Sequence, residues 1–360
     1  MAGNVVFFRD RFDPLTRSQL DFARAAILRL DADVYFSPTY TGEAPTSSRA
    51  GFLSDMIKKE NIAEFHLDFF EAKGKGKYGL FETLRHIALL RPGAKIYVPL
   101  SAGGMKELGE ERLHKLMGLA TILYVAVPGE TPDDHLLSLC SPHRFPFGKV
   151  GDYHQSEVRN LHTLDIPSYV RERIENERLY FVAKLQKYMS ERRLLHSISV
   201  ADLSYYIALR SKVEHPEKAY IAGMVHDIAK NVKDETARRL LAKFKPEYAS
   251  FPVWTYHQFL APMLVKEEFG LEDPQVNEAI SCHATGKAHM IPLAKILYAA
   301  DKIEPTRGFD STDLIQACLK NYYVGFLTTL EANREYLFGK GYSIDNPLTQ
   351  ECFDLYLGER

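Results

Sequence analysis

The sequence predicts two domains of different class, an α/β domain over residues 1–178 followed by an all-helical domain over residues 179–360. Three observations carry the prediction. A chain of 360 residues exceeds one typical domain and is long enough for two sizeable cores. Up to about residue 150, short β-rich runs alternate with helical patterns, the arrangement of a parallel sheet with crossover helices. Beyond about residue 178 the strand pattern stops, and amphipathic helices punctuated by Pro and Gly take over, as in "EHPEK", "FKPEYASFP" and "FGLEDP".

Taken in order, "NVVFF" at residues 4–8 opens the sheet, and "QLDFARAAILRL" at 19–30 crosses over to "ADVYFSP" at 32–38. "EFHLDFF" (64–70), "KIYVPL" (95–100) and "TILYVAV" (121–127) supply three further strands, with "GLFETLRHIALL" (79–90) as another crossover helix. Ligands bearing phosphate bind such sheets at the carboxyl ends of the strands, often against a helix N-terminus. The stretch 141–181 reads as irregular and then helical. It is expected to close the first domain and hand over through a shared helix, with no low-complexity linker and no internal repeat.

Composition narrows the function. A net charge of −2 gives no global footprint for nucleic acid or a membrane surface, so a small-molecule partner is expected, with a homodimer left open. Cys140, Cys282, Cys318 and Cys352 are scattered, without a CxxC pair, which suits buried thiols in a reducing cytoplasm. No apolar run reaches the roughly 18 residues of a membrane span, and the start is too short in apolar residues for a signal peptide.

The helical half places polar residues on faces that should be core. His196 shares a stripe with Val200, Leu203 and Ile207; His226 lies with Ala219, Ala222, Gly223 and Ala229, a small-residue face that admits a close neighbour helix. His257 precedes Leu260, Ala261 and Leu264; His283 follows Val276, Ala279 and Ile280; Asp301 follows Ala294, Leu297 and Tyr298. A single inward histidine is ordinarily satisfied by a carbonyl or water. Five such faces are another matter, because each unpartnered buried polar group costs about 1–3 kcal/mol, and the carboxylates more. A shared metal centre removes that cost. Imidazole and carboxylate without thiolate suit iron, manganese or zinc, and six protein ligands are more than one zinc-like ion takes with a position open.

In that order, His196, then His226-Asp227, then Asp301 resemble the H…HD…D signature of the HD-domain metal phosphohydrolases, and His257 and His283 resemble the added histidines of the dinuclear branch. The words "LLHSISVA", "AYIAGMVHDIAK", "YHQFLAPMLVKEEFG", "AISCHATGKAHM" and "KILYAADKIEPTRGFD" are similar to the bacterial HD hydrolases that cleave diadenosine tetraphosphate symmetrically to two ADP. The resemblance spans about residues 180–330. It implies two metal ions, iron first and manganese second, held by His196, His226, Asp227, His257, His283 and Asp301, with Asp227 as bridging carboxylate. It also implies that Lys230 and Arg307 hold polyphosphate and balance the leaving charge. Thr285 and Gly286 are expected to form a close-approach loop at the phosphates, with Lys287 where relatives have an arginine. An HD centre acting on another nucleotide, or a nucleotide sensor without turnover, are the alternatives.

The opening "RDRFDPLTRSQL" resembles the GGTFDPxHxGHL turn of the nicotinate mononucleotide adenylyltransferases, "GLFETLRHIALLRPGAKIYVPLSAGG" sits where they have their TFDT helix and next strand, and "DIPSYVRERI" resembles their closing ISSTxIRxRI. This resemblance, over about residues 3–190, implies a Rossmann-like nucleotidyltransferase fold. The departures fall on the chemistry: Arg9 and Asp10 replace the two glycines, and Thr16 and Gln19 replace the two histidines. Asp13 is retained, and Ser168 and Arg171 stand in the Thr and Arg places, as candidates to hold a nucleotide phosphate. The first domain is therefore expected to be catalytically silent or a repurposed nucleotide-binding module, against the alternative of retained NAD synthesis.

Overall fold

Val5, Val6, Phe7 and Phe8 are all buried, so the first strand is covered on both faces, as a parallel sheet flanked by helices requires. The computed structural model describes residues 3–40, 47–127, 130–140, 143–145, 153–342 and 344–358. Its strands are β1 Asn4–Asp10, β2 Ala32–Pro38, β3 Phe65–Leu67, β4 Lys95–Leu100, β5 Thr121–Val125 and β6 His143–Phe145. All pair in parallel in the order β3-β2-β1-β4-β5-β6. The winding reverses between β1 and β4, so their carboxyl ends flank the switch point of a Rossmann-like sheet.

The five sequence-expected strands are present, with "EFHLDFF" shortened because Phe70 already starts the helix Phe70–Lys73. The sixth strand lies in a stretch read as irregular. Three residues between "SP" and "PFG" carry no alternation to detect. Residues 141–142 and 146–152 of that stretch lie outside the described residues.

The chain divides into two units, Met1–Arg159 with Asp165–Glu177, and Asn160–Leu164 with Arg178–Arg360. The expected shared helix is not continuous. The helix Ser168–Asn176 ends at Glu177, and Arg178 and Tyr180 take φ of 54° and 51°, a left-handed turn that no helix passes through, before Phe181–Leu185 begins.

The described residues of the second unit form helices joined by turns and loops, with no strand among them. Its helices Glu191–Arg210 and Glu217–Val225 meet at Gly223, where an added Cβ would lie 2.4 Å from the Ala201 Cα and 2.7 Å from its nitrogen. Backbone therefore packs on backbone there, which brings the end of the second helix up to the first. The four cysteines are buried and unbridged, and among the described residues no helix is long and apolar enough to cross a membrane.

Candidate metal centre

Five segments of the helical unit converge. His196 sits in the second turn of Glu191–Arg210, His257 in the first turn of Tyr256–Phe269, and Asp301 near the end of Pro292–Ile303. His226 and His283 are the C-caps of Glu217–Val225 and Pro274–Cys282, so the His226-Asp227 pair stands just past its helix rather than within it. The cap position has a consequence. Each ring turns Nδ1 back on the carbonyl three residues earlier, His226 on Gly223 at 2.7 Å and His283 on Ile280 at 2.8 Å, leaving Nε2 to face the centre.

The structure brings all six sequence-expected ligands together and buries them. His196 Nε2 lies 3.1 Å from Asp301 Oδ1, His257 Nε2 3.1 Å from His283 Nε2, and both of the latter face Asp227 Oδ1 at 3.3 and 3.5 Å. Asp227 Oδ2 points the other way, 3.5 Å from His226 Nε2. Two overlapping triads result, His196 with His226 and Asp301, and His226 with Asp227 and His283, each with ligand atoms within 4.8 Å of one another.

The donor set fits a cation. His226 Nε2 is fully buried without a hydrogen-bond partner, and its lone pair faces the carboxylates of Asp227 and Asp301 at 3.5 and 3.7 Å. A buried lone pair set against two carboxylates is an unfavourable arrangement without positive charge between them.

Protonation states point the same way. Burial pushes His226 down to about 4, overriding the pull of Asp227. Burial, then His283, holds His257 well below its ordinary value. Burial also pulls on His196, but its hydrogen bonds to Asp301 and Glu304 outweigh it and raise that ring. Although burial pushes both ligand carboxylates up, Asp227 is held well below the carboxylate range by His226 and His283, and Asp301 by Lys302, His196 and Arg307. The centre thus keeps two ionised carboxylates beside the neutral imidazoles of His226 and His257, a protonation state that suits metal binding.

A cavity of about 350 Å³ opens over these ligands. Lys230 and Arg307 both line it: Lys230 Nζ lies 3.3 Å from His257 Nε2, and Arg307 reaches the Asp301 carboxylate at 2.6 Å and its carbonyl at 2.8 Å. Burial lowers the Lys230 ammonium. Two further cations of the lining escaped the sequence reading, Arg193, 2.6 Å from Asp227 Oδ2, and Lys302, 2.9 Å from Asp301 Oδ2. Arg193 lies three residues before His196 on the same helical face, the signal that could have found it. Glu304 was also missed: its buried carboxylate holds His196 Nδ1 at 2.8 Å and is fixed in turn by Thr306, and the bonds to His196 and then Thr306 bring it down to about 2 against the upward push of burial.

The loop after His283 departs from expectation. The cavity is lined by Ala284, and not by Thr285, Gly286 or Lys287. Thr285 is buried and bonded to Gln258, the neighbour of His257, at 3.0 Å, so it ties two ligand-bearing segments together. Gly286 has φ of +69°, and its close approach is to Cys352 Sγ, which an added Cβ would meet at 2.6 Å. Lys287 pairs with Glu278 at 3.1 Å.

In the α/β unit the altered residues are engaged with one another. Arg9 at the end of β1 makes a two-pronged bond to the buried Glu71 at 2.6 and 2.8 Å. Thr16 and Gln19 form a capping box that starts the helix Arg17–Leu30, and Gln19 also bonds Asp10 at 2.7 Å. The retained Asp13 donates its backbone N–H to Gln155 Oε1 at 2.7 Å and lies 3.7 Å from Arg159. Ser168 is exposed at the start of its helix, and Arg171 is buried, 3.7 Å from Glu175.

Comparison with known proteins agrees with this two-part layout. The sequence profile of the HD domain family matches residues 193–306. A probable nicotinate-nucleotide adenylyltransferase/Ap4A hydrolase of Mycoplasma genitalium is 25% identical over 356 residues, covering 92% of this chain and 98% of the relative. The symmetrical bis(5'-nucleosyl)-tetraphosphatase of Bacillus subtilis is 31% identical over 144 residues, 38% of this chain and 73% of the relative. The crystal structure of a predicted HD superfamily hydrolase involved in NAD metabolism from Clostridium acetobutylicum aligns with a TM-score of 0.45 and 27% identity, covering 53% of this chain and 98% of that one. With a divalent-metal ligand set on its helical unit, the chain is an HD-superfamily phosphohydrolase and belongs to the family of the symmetrical bis(5'-nucleosyl)-tetraphosphatases.

Proposed function

We propose that the helical unit cleaves dinucleoside polyphosphates, diadenosine tetraphosphate foremost, into two nucleoside diphosphates at a dinuclear centre. The observation that carries this reading is the six-ligand buried set with its unpartnered His226 Nε2, opening into a cavity walled by four cations. His196, His226 and Asp301 would hold one ion and His257 and His283 the other, with Asp227 between them, one oxygen toward each side. Iron suits these donors, with manganese as the alternative. When bound, the two cations supply the charge that acidifies water and neutralises phosphate oxygens.

The protein's own residues do the rest. Lys230, Arg193, Lys302 and Arg307 bind the polyphosphate by charge-assisted hydrogen bonds and take up the charge that a diphosphate carries as it leaves. Glu304 keeps His196 turned to the centre, and Gln258 through Thr285 keeps the His257 and His283 segments together. Incubation of the metal-loaded chain with diadenosine tetraphosphate should give two ADP per substrate, abolished by chelation and in His226→Ala. ATP plus AMP as products, or turnover untouched by His226→Ala, would refute the reading; faster turnover of mononucleotides would favour another nucleotide at the same centre.

We infer further that the α/β unit does not transfer adenylyl groups. The supporting observation is that the positions of the phosphate-turn glycines and the two histidines carry a salt bridge and a capping box instead. Without donors aimed at developing triphosphate charge, the transfer loses several kcal/mol of stabilisation. Formation of the deamido dinucleotide from ATP and nicotinate mononucleotide by the full chain overturns this inference.

A further inference from the structure

A second cavity of the helical unit, about 480 Å³, adjoins the metal centre, and Lys302, Arg307 and Asn333 line both. Its character changes away from that shared rim. One wall is a single stripe of the helix Tyr322–Gly339, Thr329, Ala332, Asn333 and Tyr336, spaced i, i+3, i+4 and i+7. The facing wall is Ile303, Leu314 and Phe309, the last following Gly308, whose φ of +83° ends the turn Pro305–Arg307. Phe309 and Tyr336 are 51% and 57% exposed, so neither ring is needed by the core.

The two cavities divide a nucleotide by chemistry. Cations and metal ligands line the first, which suits phosphate. Aromatic and aliphatic surface with few polar groups lines the second, which suits a flat base and its ribose. Asn333 is anchored by donating to the Tyr298 hydroxyl at 3.0 Å, which leaves its carbonyl oxygen for an amine or hydroxyl of the nucleoside. Lys302 and Arg307, on the shared rim, stand where the chain of phosphates would pass between the two. Resting on the substrate class proposed above, we propose that this cavity seats one nucleoside of the substrate, with Phe309 and Tyr336 as the residues that hold its base.

The test separates base from phosphate without needing turnover. Titration calorimetry of the metal-loaded full chain with ADP and with inorganic pyrophosphate should give at least tenfold tighter binding of ADP. Phe309→Ala and Tyr336→Ala should each weaken ADP about tenfold, the usual worth of one stacked base, and leave pyrophosphate unchanged. Tyr336→Phe should retain the preference. Equal affinity for the two probes in the natural chain, or a preference that survives both alanine variants, overturns the proposal, and so does an unchanged preference accompanied by loss of a dimer, which would make this face a contact between copies. A chain that prefers ADP yet leaves diadenosine tetraphosphate intact would refute the substrate reading and keep the cavity; cleavage with an unchanged preference in the variants would do the reverse.

Discussion

Gly223→Ala is a one-methyl change on which the geometry of the centre depends. The new Cβ would lie 2.4 Å from the Ala201 Cα and 2.7 Å from its nitrogen, both backbone atoms that no rotamer can move aside. Ordinary contact between carbons begins near ~3.5 Å, so the helices Glu191–Arg210 and Glu217–Val225 must part by roughly 1 Å. Overpacking of this kind costs about 1–3 kcal/mol, equivalent to a fall in melting temperature of about 4–8 °C near the middle of that range. The same displacement separates His196 from His226 and Asp227, and a misplacement of about 1 Å in a catalytic constellation can cost ~100-fold in rate. Thermal melting and hydrolysis rates of the metal-loaded chain measure both effects. Gly339→Ala is the control, since it ends a helix with nothing within 4 Å and should be neutral or slightly stabilising. If Gly223→Ala melted and turned over like the control, the close-approach reasoning would fail.

Other perturbations probe separate links. Glu304→Gln weakens the hold on His196 Nδ1 and should lower metal affinity about 10–100-fold in a chelator competition, with little change in far-UV circular dichroism. In chelated protein, His226 sits near 4 when folded and near 6.5 when unfolded, so the unfolded chain takes up the proton first. Stability from this group should therefore be intact above about pH 6.5 and fall by about 3 kcal/mol towards pH 4, partly opposed by the raised His196. Urea melts at pH 7 and 5 read this, and a flat or rising profile contradicts it. Thr16→Ala removes the capping box and should cost about 1 kcal/mol in the melting of the α/β unit, whereas no loss would mean the substitution at that position has no structural role.

What was legible in the sequence were features with a period. His196, Asp301 and the small-residue face at Gly223 interrupt apolar stripes at helical spacing, so their inward direction follows from residue order. The strands of the sheet core announced themselves differently, as short β-rich runs such as the consecutive buried residues Val5 to Phe8. What escaped depends on partners far along the chain. Thr285 meets Gln258 across 27 residues and Arg9 meets Glu71 across 62, and no local pattern foretells either pairing. Lys302 follows the ligand Asp301 directly and lines the cavity, but charge near a helix end looks alike in sequence whether it faces water or a cavity. The three-residue β6 is too short for any alternation.

Metal content tests the central claim most directly. Elemental analysis of the chain purified from its own host, with the same analysis of His257→Ala, should find two iron or manganese ions per chain in the former and a reduced content in the latter. A single ion that is retained in full when His257 is lost, or no metal at all in active protein, would contradict the dinuclear account.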